Sequence, residues 1–78
     1  MTPGQLRWRC RRGMKELDLL LARWLEQRWP EAGAGARAAF ERLLDQQDPE
    51  IAAWLLGRSR PADPAMAALV DELIADRA

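Results

Sequence analysis

The stretch "MKELDLLLARWLEQR", residues 14–28, has the periodicity of an amphipathic helix. Its apolar residues recur at spacings of three and four, so they follow one another along one face of an α-helix. We therefore predict a helix over about residues 14–28 whose apolar stripe packs into the core. The stripe consists of Leu17, Leu20, Leu21, Trp24 and Leu25.

A shorter helix is predicted ahead of this one. Thr2, Pro3 and Gln5 supply an N-cap, a proline at the first helical position and a glutamine at the capping-box position. We expect this helix to stop at Gly13, because glycine readily adopts the left-handed conformation that ends many helices.

Three more helices are predicted after residue 28. The segment "WPEAGAGA", residues 29–36, separates the second helix from the third. Asp48 and Asp63 each precede a proline, which predicts a capping carboxylate followed by the first helical residue. Gly57 is suited to ending the fourth helix. The residues expected to face inward in these helices are Ala36, Ala39, Phe40, Leu43, Leu44, Ile51, Trp54, Leu55, Met66, Leu69, Val70, Leu73 and Ile74.

Strands are not expected, since β-branched residues are few and no stretch alternates between apolar and polar residues. A chain of 78 residues has room for a single core. The sequence therefore predicts an all-α fold, a compact five-helix bundle, in which residues 1–78 form one domain.

The charges are distributed unevenly although the formal net charge is zero. Residues 1–15 carry five positive charges and no negative one, whereas residues 16–78 carry seven positive and twelve negative charges. Arg12 near the end of the first helix and Glu16 at the start of the second complement the helix dipoles. Arg11 and Lys15 are not explained in this way, because their like charges repel at the same corner. Their excess indicates a partner that compensates it.

The composition disfavours catalysis and metal binding. The chain has no histidine and no tyrosine, which removes the commonest general base and most metal-site designs. Cys10 is the only cysteine, so an internal disulfide and a multi-cysteine metal site are both excluded. The stretch "GAGARA", residues 33–38, matches a dinucleotide-binding pattern, but that pattern works only between a strand and a helix. We interpret it as a helix–helix loop and expect neither an enzyme nor a metal site.

The basic first segment is compatible with more than one kind of partner. Its arginines could neutralise phosphate and Trp8 could stack on a base, but the rest of the chain is net acidic and shows no nucleic-acid-binding motif. Without any partner, Trp8 is expected to pack into the core. Four tryptophans in so short a chain favour a protein interface, where Trp and Arg are enriched among hot spots. A generic helical adaptor and an antitoxin-like or nucleic-acid-binding module stay open as alternatives.

Three blocks of the sequence, in this order, resemble the SdhE family. They are "WRCRRGMKELD" from Trp8, "FERLLDQQDPEIAAWL" from Phe40 and "RPAD" from Arg60. The resemblance covers about residues 8–74. Members of this family are small assembly factors that promote covalent flavin attachment to the flavoprotein subunit of succinate dehydrogenase and, in bacteria, of fumarate reductase.

The resemblance implies a five-helix fold and a non-catalytic role as a partner of that flavoprotein subunit in the bacterial cytoplasm. It implies no cofactor bound stably by this chain, since FAD belongs to the partner subunit, and no nucleic acid, membrane insertion or small-molecule substrate. The family's Arg-Gly-x-x-Glu motif begins at Arg12. The residues expected to bind the partner are Trp8, Arg11, Arg12, Gly13, Met14, Glu16 and Asp48.

Overall fold

The computed structural model describes residues 2–77, which form five α-helices and one short 3-10 helix. The α-helices are α1 (Pro3–Arg9), α2 (Lys15–Gln27), α3 (Ala34–Leu44), α4 (Asp48–Leu55) and α5 (Pro64–Ala75), and the 3-10 helix is Trp29–Glu31. No strand occurs between residues 2 and 77. The predicted all-α fold with five helices is confirmed.

The core forms where the apolar stripe of α2 meets α3 and α5. Every residue predicted for that stripe is buried. Trp24 stacks on Phe40 with the ring centroids 4.5 Å apart, and Trp29 meets both rings edge-on. Such aromatic pairs contribute about 0.5–1.5 kcal/mol beyond the area they bury. Leu6 of α1 and Ile51 of α4 are fully buried in the same cluster, so all five helices share one core.

Three predicted helix ends have the geometry that their residues suggest. Gln5 donates its N–H to the Thr2 hydroxyl at 3.2 Å, and the N–H of Thr2 donates to Gln5 Oε1 at 2.9 Å, which completes a capping box. The N–H of Met66 donates to the Asp63 carboxylate at 3.1 Å. Gly57 follows the end of α4 with a φ of +75°. These three end signals are confirmed.

The first helix ends earlier than predicted. It stops at Arg9 with Cys10 as its C-cap, and Gly13 lies in the loop that follows, with a φ of +86°. The left-handed conformation of Gly13 is confirmed, but its predicted place at the end of the helix is wrong. Cys10, the C-cap residue, packs its side chain into the core.

Asp48 does not cap α4 as predicted. Gln47 is the N-cap residue, without a side-chain bond, and Asp48 is the first residue of the helix. The carboxylate of Asp48 is bonded to Arg12 instead. The capping role fails because an arginine from another part of the chain takes this carboxylate.

The start of α3 and the burial of two side chains also differ from the prediction, by less. α3 begins at residue 34, so residues 34–38 of the stretch "GAGARA", which was predicted as a loop, are helical, as its alanines favour. Ile74 is exposed rather than buried. It lies about 80° around the helix axis from Met66, at the edge of the buried stripe. Trp54 is half-buried and packs against the core.

Candidate protein-binding site

The candidate site is the corner between α1 and α2, residues 10–16, which contains the Arg-Gly-x-x-Glu motif. Its backbone is tied to α2 by Asp18, whose two carboxylate oxygens accept the N–H of Arg12 at 2.7 Å and the N–H of Gly13 at 3.2 Å. A Cβ atom added at Gly13 would meet nothing within 4 Å. Glycine is therefore required here by the positive φ and not by crowding inside the chain.

The side chain of Arg12 points into the protein and is only 15% exposed. Its Nε donates to Asp48 Oδ1 at 2.7 Å. Its Nη1 donates to the carbonyl of Leu44 and its Nη2 to the carbonyl of Gln46, both at 2.6 Å. The guanidinium thus joins the corner to the last turn of α3 and the first turn of α4, which are far apart in sequence.

Arg12 and Asp48 are therefore partners of each other within the chain. Three nitrogens of the guanidinium already donate hydrogen bonds to protein oxygens, and such charged bonds are stronger than neutral ones. The expected contact of both residues with a partner protein stays a prediction. In the structure, their hydrogen bonds hold the corner against α3 and α4.

Several cations near Arg12 in the sequence face solvent without a partner among the described residues. Within residues 2–77 the side chains of Arg7, Arg11, Lys15 and Arg58 make no hydrogen bond or ion pair. Three of these four lie in the short segment 7–15. Of the five cations in the basic patch read from the sequence, Arg7, Arg11 and Lys15 are thus exposed and uncompensated, whereas Arg9 and Arg12 are paired with Asp45 and Asp48.

Trp8 is exposed to 70%, so the alternative in which it packs into the core is wrong, while its contact with a partner stays a prediction. It borders an open hollow that also includes Arg11, Asp48 and Pro49. An exposed indole beside an unpaired arginine has the composition of a protein-interface hot spot. Leu6 takes the inward position of this short helix, which leaves the Trp8 ring outside.

Glu16 lies in the first turn of α2 as predicted, and its carboxylate is paired with Arg77 at 3.0 Å. Arg77 also donates to the carbonyl of Leu55 at 2.9 Å. The chain therefore holds the motif glutamate with a residue 61 positions later. Sequence reasoning missed Arg77, since no local pattern links two residues so far apart.

Met14 is 42% exposed and forms one wall of a small apolar groove. The apolar groove has a volume of about 110 Å³ and is bordered by the Glu16–Arg77 ion pair. It lies on the α2 side of the corner and was not predicted from the sequence. Its lining consists of Met14, Leu17, Leu20, Ala52, Leu55 and Leu56.

Cys10 is buried behind the corner, and burial raises the pKa of its thiol to about 11. The thiol is therefore protonated at neutral pH and is a poor nucleophile. In the part of the chain that the structure describes, no three cysteine or carboxylate side chains come together to hold a metal ion. No helix of residues 2–77 is long and apolar enough to cross a membrane.

A small all-helical protein that exposes a tryptophan and several unpaired cations at one corner has the features of a protein-binding module. Residues 4–77 match the family described as the flavinator of succinate dehydrogenase. The chain belongs to this family.

Curated relatives carry the name FAD assembly factor SdhE. The one from Methylococcus capsulatus is 51% identical over 70 residues, which cover 90% of this chain and 84% of that protein. The one from Xylella fastidiosa is 46% identical over 67 residues, 86% of this chain and 69% of the relative. The one from Coxiella burnetii is 43% identical over 61 residues, 78% of this chain and 74% of the relative. The resemblance to the SdhE family seen in the sequence is confirmed.

Proposed function

We propose that this protein is an assembly factor that binds the flavoprotein subunit of succinate dehydrogenase and promotes its covalent flavinylation with FAD. The observation that carries the proposal is the family match over residues 4–77, which includes the whole corner. The exposed composition of the corner supports it, because binding is the activity for which these side chains are suited.

The role proposed is non-catalytic. Covalent flavin chemistry is carried by the flavin and the subunit that holds it, and this chain has no histidine or tyrosine to add. A helper of this kind acts by binding one conformation of its partner more tightly than others. The population of that conformation then rises in proportion to the difference in affinity.

In this proposal the residues at the corner have two different roles. Arg12 and Asp48 hold the loop in place from behind, while Trp8, Arg11 and Met14 contact the partner. The partner's backbone approaches at the corner's glycine, where no side chain stands in the way. A rigid loop loses little entropy on binding, so the contact energy is retained as affinity.

The fumarate reductase flavoprotein is proposed as a second partner of the same chemical kind. FAD stays with the flavoprotein subunit, and this chain is proposed to hold no cofactor of its own. The cytoplasmic location stays a prediction.

The test is covalent flavin fluorescence in denaturing gels, after the apo flavoprotein subunit has been incubated with FAD and this protein. We expect the native chain to speed labelling and Gly13→Arg to abolish the effect, because a long charged side chain then occupies the approach to the loop. Gly13→Ala is the matched control, since it has the same backbone strain at the positive φ but adds only a Cβ, which meets nothing within 4 Å. Circular dichroism and thermal melting check that both variants are folded.

Equal labelling with and without the native chain, and no complex on size-exclusion chromatography, would contradict the proposed function. The basic segment would then be tested against single-stranded nucleic acid, with the fluorescence of Trp8 as the readout. Normal labelling by a folded Gly13→Arg would leave the function standing but would show that the partner does not approach at Gly13.

A further inference from the structure

We infer that the apolar groove between α2 and α4 receives one aliphatic side chain from an acidic segment of the flavoprotein subunit. This inference rests on the proposed function and names a second contact, next to the motif. It concerns residues that lie outside the motif, chiefly Ala52, Leu55 and Leu56.

The groove has a buried floor and exposed walls. Leu17, Leu20 and Leu55 belong to the core and form its floor. Met14 and Leu56 stand at its edges with 42% and 55% of their surface exposed. Large apolar side chains that border one depression mark a binding surface more strongly than apolar residues scattered singly.

The size of the groove suits a single side chain. A dry apolar cavity of about 150 Å³ accommodates a benzene molecule, and the groove has about 110 Å³. Its depth comes from Ala52, which is the smallest side chain in the lining. A larger residue at this position would fill the space.

The charges beside the groove select an acidic partner. Lys15 is the neighbour of Met14 in sequence and Arg58 follows two positions after Leu56, and neither side chain has a partner among the described residues. Glu16, the carboxylate at the rim, is already neutralised by Arg77. The chain segments that form the two walls of the groove therefore carry an excess of positive charge, and a segment that carries carboxylates around its apolar anchor is electrostatically complementary to them.

The test uses a substitution that fills the groove and leaves the Arg-Gly-x-x-Glu motif unchanged. Ala52→Leu occupies the groove from α4, and alanine and leucine are both good helix formers. Ala53→Leu is the matched control, because Ala53 is also half-buried on α4 but does not line the groove. Affinity for the apo flavoprotein subunit is measured by titration calorimetry, and the melting temperature of each variant is measured in parallel.

We expect Ala52→Leu to weaken binding about tenfold or more and Ala53→Leu to bind like the native chain. This loss corresponds to the burial of one aliphatic side chain. Unchanged affinity in a folded Ala52→Leu would overturn the inference. The inference would also be overturned if Ala52→Leu left the affinity for the subunit unchanged but altered the sedimentation of this protein measured without the subunit. The groove would then bind a second copy of the chain.

A separate experiment tests whether the partner segment is acidic, by measuring the binding affinity at several salt concentrations. Binding of the native chain should weaken with ionic strength, and the Lys15→Gln, Arg58→Gln double variant should show a flatter salt dependence. Arg60→Gln is the control, because Arg60 already has an acidic partner in Asp71. If the double variant kept the native slope, the partner segment would not be acidic. The proposed function fails in a different way, namely when the native chain neither binds the subunit nor speeds its labelling.

Discussion

Two regions of the molecule differ in how their positive charges are paired. These regions are the face where α2 meets α5 and the corner between α1 and α2. On the α2–α5 face, Arg28 donates to both carboxylate oxygens of Asp76 at 2.7 and 2.9 Å and to Glu72 at 3.3 Å. At the corner, Arg11 and Lys15 have no such partner among the described residues. The chain carries enough carboxylates to neutralise every cation, since both number twelve. The sequence concentrates positive charge at one corner, and the fold leaves part of that charge unpaired although the total is balanced.

The same contrast occurs between two adjacent residues. Arg11 is exposed, whereas Arg12 is held by three protein oxygens within 2.7 Å. The first is available to a partner and the second stabilises the loop that presents it. An arginine in a binding motif can thus be required for two different physical reasons, and substitutions can tell them apart.

The largest effect is expected for Arg12→Ala, which should lower the free energy of unfolding by roughly 2–4 kcal/mol. The substitution removes several charged hydrogen bonds and leaves the carboxylate of Asp48 unpaired. Arg11→Ala should change stability by less than about 0.5 kcal/mol, as is usual for exposed positions. Urea denaturation of both variants measures this difference. Equal stabilities would show that the bonds of Arg12 do not hold the corner.

Trp8→Ala is expected to weaken binding to the flavoprotein subunit by about 2 kcal/mol, or roughly 30-fold, as for an interface hot spot. Its stability should be almost unchanged because the indole is largely exposed. Trp54→Ala provides the opposite control, since Trp54 packs against the core and its loss should reduce stability. Calorimetric titration and thermal melting of both variants give the two readouts. A Trp8→Ala variant that is unstable but binds normally would contradict this assignment.

The smallest effect is expected on the α2–α5 face and depends on pH. Hydrogen bonds from Arg28 hold the pKa of the Asp76 carboxyl below its usual value. Because this pKa is lower in the folded than in the unfolded chain, the pair stabilises the fold above the usual pKa of aspartate, about 3.9, and loses this effect as the pH falls through the folded value.

Asp76→Asn should therefore be slightly less stable than the native chain at pH 7, and the difference should vanish in acid. Melting temperatures measured between pH 7 and pH 2 test this. Asp71→Asn should have a smaller effect, since Asp71 and its partner Arg60 are both more than half exposed. A difference for Asp76→Asn that persists at pH 2 would mean that the carboxylate charge is not its cause.

Much of the fold follows from neighbouring residues and could be predicted. Leu17, Leu20 and Trp24 lie three or four positions apart, so their common face is a property of helix geometry alone. The capping box at Thr2 and the end of α4 at Gly57 also use residues within a few positions of one another. The sequence also places the candidate site at the corner, from its charge and from the family resemblance, and binding of a partner there stays a prediction.

The roles within that site could not be predicted, because they depend on contacts across the chain. Arg12 bonds to residues 32 to 36 positions away, and Glu16 to a residue 61 positions away. Trp8 is exposed because it lies about 200° around the axis of α1 from Leu6, and the packing of α1 on the other helices buries the Leu6 side. The groove exists only because α2 and α4 come together around Ala52.

By itself the sequence determined the helices, most of their ends, the apolar stripes and the local excess of positive charge. Each of these depends on residues that lie near one another in the sequence. Only the tertiary structure decided that Arg11 faces outward while Arg12 faces inward. The two residues are chemically identical neighbours, and the difference between them comes from the oxygens that α3, α4 and the loop between them bring within reach of Arg12 alone.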